Sequence, residues 1–245
     1  MTEGIHPLAA TMINQINRVD TISNNIANVD TVGFKQDNLT EASFNTYLDE
    51  AIRKDKKISK MSEVINTIPK ITGHYLDDSI GSIKQTNNKL DFAISKENAY
   101  FKIENANEEV EYTRNGSFKI LDGYLVTQNG EKVLNRNDYP VKVIDNKGKD
   151  IPDFKFNIAL VEIDSKNLKK IGDTNYTVNN VDNVEDIRRD NDYLKNGYLE
   201  RSNVNSMISM VSLIDAQRRF EQAQKAISEI DVLNGKVIDT MGNGR

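Results

Sequence analysis

Residues 5–29 read IHPLAATMINQINRVDTISNNIANV, and their apolar side chains recur every three or four positions, at Ile5, Leu8, Met12, Ile16, Val19, Ile22, Ile26 and Val29. That period marks one face of a helix. Set out as heptads, Ile5, Met12, Val19 and Ile26 share one core position and Leu8, Ile22 and Val29 the other, with Gln15 as the polar break in the row. The expectation is a coiled-coil-like seam. The remaining face carries Asn14, Asn17, Asn24, Asn25 and Asn28 where a solvated helix usually carries Lys and Glu, and uncharged amides suit a helix surrounded by other protein. Pro7 falls in the first turn, where its missing N–H would have had no partner inside the helix.

The far end of the chain matches this one in kind. Val204, Met207, Val211 and Ile214 form an apolar row that shifts by about two positions to Phe220, Ala223, Ile227, Ile230 and Val237. Such a shift widens the strip beyond what one partner helix covers, so contact with both the N-terminal helix and a neighbour is expected. Two amphipathic helices packed on one globular core would show the same spacing, and amphipathicity alone does not separate core from assembly surface.

Between the ends the pattern changes. Phe44, Tyr47, Leu48, Ala51 and Ile52 keep helical spacing, and Arg53, Lys54, Asp55, Lys56 and Lys57 after them read as the solvated end of a short helix rather than an anion site. Ser59 to Thr86 has no strong period and reads as a linker or extended arm. From Leu90 onward short apolar runs alternate: Leu90, Phe92 and Ile94, then Tyr100–Ile103, Val110–Thr113, Phe118–Ile120, Tyr124–Val126, Val141–Ile144 and the longer Phe154–Ile163. The pairs Asn115-Gly116, Asp122-Gly123, Asn129-Gly130 and Lys147-Gly148 separate them, and such pairs reach positive φ readily and favour tight hairpins. Strands of this length at this spacing predict an antiparallel β domain ending near Asn196-Gly197.

Composition excludes several classes of function. For a chain of 245 residues with 28% charged side chains, the mild acidity of a net charge of −5 argues against a general nucleic-acid binder. The absence of Cys removes disulfide frameworks, thiolate zinc sites and Cys nucleophiles. His6 and His74 stand alone, so no His-based triad or multi-His metal site is expected within one subunit. No Gly-rich phosphate loop occurs. The acidic pairs Asp77-Asp78 and Glu108-Glu109 read as surface residues, and Asp145, Asn146, Gly148 and Asp150 lack the ligand pattern of an EF-hand and suit a hairpin turn. No catalytic, cofactor-binding or metal residue is expected, and the chain does not read as an enzyme. Its first residues, Met-Thr-Glu-Gly-Ile-His-Pro-Leu, have no basic region and meet Asn14, Gln15 and Asn17 early, so neither a Sec signal nor a membrane span is expected.

Ser23-Asn24-Asn25-Ile26-Ala27-Asn28-Val29-Asp30-Thr31-Val32-Gly33-Phe34-Lys35 resembles the N-terminal motif of the flagellar basal-body rod and hook family. Ser202-Asn203-Val204-Asn205, with Met210-Val211-Ser212-Leu213-Ile214 and Ala216-Gln217-Arg218-Arg219-Phe220-Glu221, is similar to that family's C-terminal helix motif. Leu90-Asp91-Phe92-Ala93-Ile94, Tyr112-Thr113-Arg114-Asn115-Gly116-Ser117-Phe118 and Gly123-Tyr124-Leu125-Val126-Thr127 resemble its β domain. The family's Gly-x-Gly before paired aromatics is replaced by Glu97-Asn98-Ala99 before Tyr100-Phe101. Within the N-terminal motif, the small amide side chains satisfy backbone groups where the helix is packed dry, Gly33 permits the positive φ of a helix exit, and Phe34 supplies an apolar anchor.

The resemblance implies a structural subunit of the flagellar rod whose two terminal helices pair into an inner tube with the β domain outside. The implied divisions are an N-terminal helix (1–35), a short helix and extended linker (36–89), a β-rich outer domain (90–200) and a C-terminal helix (201–245). The implied partners are other copies of the chain, neighbouring rod and hook proteins and the flagellar type III export apparatus, with localisation in the periplasm-spanning rod, no cleaved signal peptide and no direct membrane insertion. The expected assembly surface comprises Ile5, Leu8, Met12, Ile16, Val19, Ile22, Asn25, Ile26, Asn28, Gly33 and Phe34 at one end. At the other it comprises Val204, Met207, Val211, Ile214, Phe220, Ala223, Ile227 and Ile230. The modest length, and Leu213-Ile214 leading into Gln217-Arg218-Arg219-Phe220-Glu221, favour the proximal rod type over the distal rod or hook. A secreted β-rich binding module or adhesin with a helical stalk is the alternative from another class.

Overall fold

A computed structural model describes residues 5–42, 70–144, 149, 151–152, 154–178, 180, 183–187 and 193–242. The expected short helix at Phe44–Ile52, the basic cluster after it and the Asp145–Asp150 turn, apart from residue 149, lie outside these residues. The chain divides into two compact units, one drawn from Met1–Ile26, Asp37–Tyr75 and Ser206–Arg245, the other from Ala27–Gln36 and Leu76–Asn205.

The first unit holds both long helices, α1 at Ile5–Ala27 and α2 at Ser206–Gly242. At 1.5 Å per residue, α2 is roughly 55 Å long. Asn205, a residue type favoured before a first helical turn, immediately precedes it. Strands β1 (Asp37–Ala42) and β2 (Lys70–Leu76) pair as a ribbon. The stretch expected as an extended arm therefore contains β2 and, further on, β3 (Ile83–Gln85).

The second unit is antiparallel β, as the alternating runs predict. Its middle is β5 (Ala99–Glu104), which pairs along one edge with β6 (Val110–Thr113). Its other edge is shared end to end by β10 (Leu160–Glu162) and β9 (Lys132–Val133). The sheet continues past β6 into β12 (Asn175–Val178) and β11 (Leu168–Lys170), and past β9 into β8 (Tyr124–Val126) and β7 (Lys119–Leu121). β13 (Glu185–Asp186) pairs with β10. Because side chains alternate along a strand, β5 feeds two cores. Phe101 and Ile103 join Phe92, Phe118, Leu125 and Val133, whereas Tyr100 joins Tyr112, Val161, Ile163 and Tyr176. Phe101 meets Phe118 edge-on at 5.1 Å, and Tyr100 meets Tyr176 at 5.6 Å, separations typical of favourable aromatic pairs. Two ribbons complete the unit, β4 (Phe92–Ile94) with β14 (Leu194–Asn196) and β3 with β15 (Tyr198–Glu200).

Three local expectations are corrected. Phe154–Ile163 is not one strand: Phe154–Asn157 forms a single 3-10 turn before β10. A continuous strand would set Phe154, Phe156 and Ile158 on one face, but the core takes Phe154 and Ile158 and leaves Phe156 exposed. The outward Phe156 between two core residues breaks the strand's period of two, and the 3-10 turn accounts for it. Val141–Ile144 makes only isolated bridges, Tyr124 to Lys142 among them, rather than a strand. Asp122-Gly123 is the expected tight turn, with φ of 51° and 82°. Asn115-Gly116 is not, because Gly116 does not sit at positive φ. Its role is close approach: a Cβ there would lie 1.7 Å from the Phe92 carbonyl oxygen.

Candidate assembly interface

In the helical unit, burial does not follow hydrophobicity residue by residue. Among the described side chains of α1 the buried ones are Gln15 and Asn25, while Ile13 and Ile16 are exposed and Leu8, Met12, Val19, Ile22 and Ile26 are half-buried. The backbone of Ile5 lies in the helix. Gln15 therefore sits inward in its row, and Asn25, expected on the amide face, is turned inward as well. Asn25 is held inward by the backbone it meets. Its amide donates to the Asp37 carbonyl at 2.7 Å and accepts from the Asp37 N–H at 3.0 Å, closing the chain back on the helix. A side-chain amide with both groups satisfied is buried without a desolvation penalty left open.

On α2 the inward row runs Ser209, Leu213, Ala216, Phe220, Ala223, Ile227 and Ile230, with Ser209, Ala216 and Ala223 buried and the others half-buried. This row has alternating spacings of four and three and no shift. The two-position shift read from the sequence is the change from an outward row to this inward one. Met207 is 78% exposed and Val211 66%, and Ile208, Met210 and Ile214 are exposed beside them. Side chains at i, i+3, i+4 and i+7 share a face, so Met207, Met210, Val211 and Ile214 form one apolar patch over the first turns of α2. Further along, Ile16 and Val19 of α1 and Gln217, Phe220, Glu221 and Gln224 of α2 line one open groove of about 500 Å³.

In the β unit, the terminal segments meet at a buried cluster. After α1 the backbone turns through Asn28 and Thr31, whose hydroxyl donates to the Asn28 side chain at 3.0 Å, and Asn28 is buried. Gly33 follows at φ 71°, and a Cβ there would lie 2.4 Å from the Arg114 backbone. Both counts demand glycine. Its N–H donates to the Glu200 carbonyl at 2.9 Å. Phe34 is fully buried, with the Lys170 ammonium 4.1 Å above its ring. Val204 is buried where the chain leads out towards α2.

Lys35 and Glu200 are each 2% exposed and paired at 2.8 Å. The other Glu200 oxygen accepts from Arg114 Nε at 2.6 Å, and the Gly81 N–H donates to Oε1 at 2.9 Å. Lys35 also donates to the Ser79 carbonyl at 2.7 Å, and Arg114 to the carbonyls of Ala99 and Ile94. Asn203 bridges the same segments, accepting from the Gln36 N–H and donating to the Asp77 carbonyl, both at 2.8 Å. Burial pushes the Lys35 ammonium below its usual range against the pull of Glu200, and Arg114 adds to the lowering. Sequence reasoning missed this cluster. Lys35 and Arg114 close or centre two of the quoted motifs, but nothing local in the sequence pairs either with Glu200.

Among the described residues there is no group of three His, Cys, Asp or Glu side chains placed to hold a metal ion, and no helix is long and apolar enough to cross a membrane.

The chain is similar to known flagellar proteins. Family models match the chain in three places: a flagella basal body rod protein model over residues 8–35, the D1 domain of the flagellar hook protein FlgE/F/G over 94–179, and the C-terminal model of the flagellar basal body rod FlgEFG proteins over 195–240. Lys35, Arg114 and Glu200 each come from a different one of these blocks. The flagellar basal-body rod protein FlgG of Agrobacterium fabrum is 30% identical, over 91% of this chain and 94% of its own length. The flagellar basal-body rod protein FlgF of Rhizobium meliloti is 28% identical over the whole of both chains. The flagellar hook-basal body complex protein FlhP of Bacillus subtilis is 27% identical, over 94% of this chain and 96% of its own.

Proposed function

We propose, for a chain that belongs to the flagellar basal-body rod and hook family, that it is a structural subunit of the rod, of the proximal type, polymerising through its terminal helices. The observation that carries the reading is the exposed row Met207, Met210, Val211 and Ile214 on a helix whose other side faces inward. Large apolar side chains grouped on one surface mark a contact site. Pairing of α1 with α2 as a coiled-coil-like bundle would bury the inward rows, and the outward row would be covered by a neighbouring subunit. An interface of this head-to-tail kind that fails to close on itself generates a helical tube. The two helices gain much of their burial on assembly, so both ends of the isolated monomer exchange amide hydrogens faster than β5 and β6.

The partners are other copies of the chain and adjoining rod or hook proteins, and the route out is the flagellar type III apparatus without cleavage of a signal peptide. The full-length match to the Rhizobium FlgF and the modest length of the chain support proximal placement. The match to the Agrobacterium FlgG favours the distal position as the second reading. Electron microscopy of basal bodies from a deletion strain, with and without the restored gene, tests both. A rod that stops at its base supports the proximal reading, one that stops beyond it supports the distal, and an intact rod and hook would overturn the function.

A further inference from the structure

We propose that Lys35, Arg114 and Glu200 form a buried clasp that couples docking of the two terminal segments onto the β unit, so that residues 199–205 cannot leave while residues 27–36 stay. This goes beyond the rod reading and does not depend on it. The charge inventory decides the coupling. One carboxylate stands between two cations, all three almost without solvent exposure. Asp78 adds a second negative charge, its side chain accepting from the Tyr100 hydroxyl at 2.7 Å and its field acting on Lys35.

Release of the N-terminal segment alone carries Lys35 into water. Glu200 then keeps Arg114 and the Gly81 N–H, and what remains inside is a matched ion pair. Release of the C-terminal segment alone removes the carboxylate bonded to both cations, leaving Lys35 with the field of Asp78 and the Ser79 carbonyl and Arg114 with the Ala99 and Ile94 carbonyls, and strips the N–H groups of Gly81, Gly33 and Gln36 of their acceptors. Two neighbouring buried cations that have lost their shared carboxylate are less tolerable than a carboxylate that still has one partner. The segments therefore open in order, N-terminal first, and Lys35 and Glu200 act as positioning residues for the points at which the chain leaves the unit.

Two amides read the two events separately. The Asp77 N–H donates to the Gln36 carbonyl and opens when the N-terminal segment leaves, while the Arg201 N–H donates to the Ser82 carbonyl and opens only with the C-terminal segment, each at 2.9 Å. Hydrogen exchange of the full-length monomer, corrected for intrinsic rates, tests the order. The unsubstituted chain should exchange Asp77 at least as fast as Arg201, and a faster Arg201 would overturn the proposal. Lys35→Met should accelerate both amides by about tenfold or more, because a contact made by one segment holds the other. Lys35→Arg, which keeps the charge, should hold Arg201 within about threefold of the original rate, on the same measure. An Arg201 rate untouched by Lys35→Met, or equal in Lys35→Met and Lys35→Arg, would show that the charge couples nothing. Should Lys35→Met also lose protection in β5 and β6, the order measured in the unsubstituted chain decides alone.

Discussion

Glu200→Gln is forecast by the geometry to destabilise the β unit strongly. Glutamine has nearly the volume of glutamate, so packing is preserved and the loss isolates the charge. Three donors reach the carboxylate, Lys35 Nζ at 2.8 Å, Arg114 Nε at 2.6 Å and the Gly81 N–H at 2.9 Å. A neutral amide presents one oxygen and turns an NH2 toward a cation. Breaking one partner of a buried ion pair costs about 3–5 kcal/mol, and two cations share this one partner, so the upper half of that range is expected. For a unit of about 140 residues, with roughly 3–5 °C for each kcal/mol, the midpoint should fall by about 12–25 °C. Thermal melts followed by near-ultraviolet circular dichroism, at 0.15 M and 1 M salt, provide the assay. Because the site is dry, added salt should return little of the loss. A fall of under about 1 kcal/mol, or recovery at high salt, would mean that the cluster is solvated and the reasoning is wrong.

Stability should depend on alkaline pH in two opposed limbs. The Lys35 ammonium is held below its usual 10.5 chiefly by burial, so the folded state binds fewer protons than the unfolded one over that window and stability rises with pH up to about 10.5. Tyr100 is pushed well above its usual 10.0, first by burial and then by Asp78, so above pH 10 the unfolded phenol ionises alone and stability falls. Urea titrations from pH 7 to 11 should show a maximum near 10, and Lys35→Met should flatten the rising limb while sparing the falling one. Gly116→Ala should destabilise the β unit by about 2 kcal/mol or more, since the clash is with a backbone carbonyl that cannot step aside. Gly172→Ala, where a Cβ meets nothing within 4 Å, should change the unfolding free energy by under about 1 kcal/mol. Val211→Asp should leave the monomer's melting curve in place because the side chain is exposed, yet abolish incorporation into basal bodies; Ile227→Asp, half-buried, should loosen the helical unit as well. A Val211→Asp strain that swims normally would remove this face from the interface.

The parts of the fold legible in the sequence were those governed by local period. The apolar rows located both helices, and alternation located β5, β6 and β8, because neighbours along the chain carry that information. β9, β11 and β13, made of Lys132-Val133, Leu168-Lys169-Lys170 and Glu185-Asp186, show no run of apolar residues to register, and they exist because a distant strand offers a partner. The orientation of α2 was only half legible: spacing showed that Val211 and Ala223 each belong to a row, while the choice of which row faces inward depends on what it packs against. The charge cluster was invisible for a stronger reason. Lys, Arg and Glu are ordinarily surface residues, and only three-dimensional closure makes Glu200 the counterion of Lys35. Asn115-Gly116 was misread because a glycine that avoids a collision looks the same in sequence as one that supplies positive φ.

The separation of Lys35 from Glu200 along the chain, 165 residues, bears on the time course of folding. Asn25 and Asp37 close a loop of 12 residues and can meet within the time of local chain diffusion, so the hook after α1 forms early. The carboxylate that balances Lys35 and Arg114 belongs to the other end of the contact map, and it must be both synthesised and brought home before those cations can leave water. Because closing so long a loop costs the most chain entropy, the cluster is expected to be among the later contacts of the unit to form.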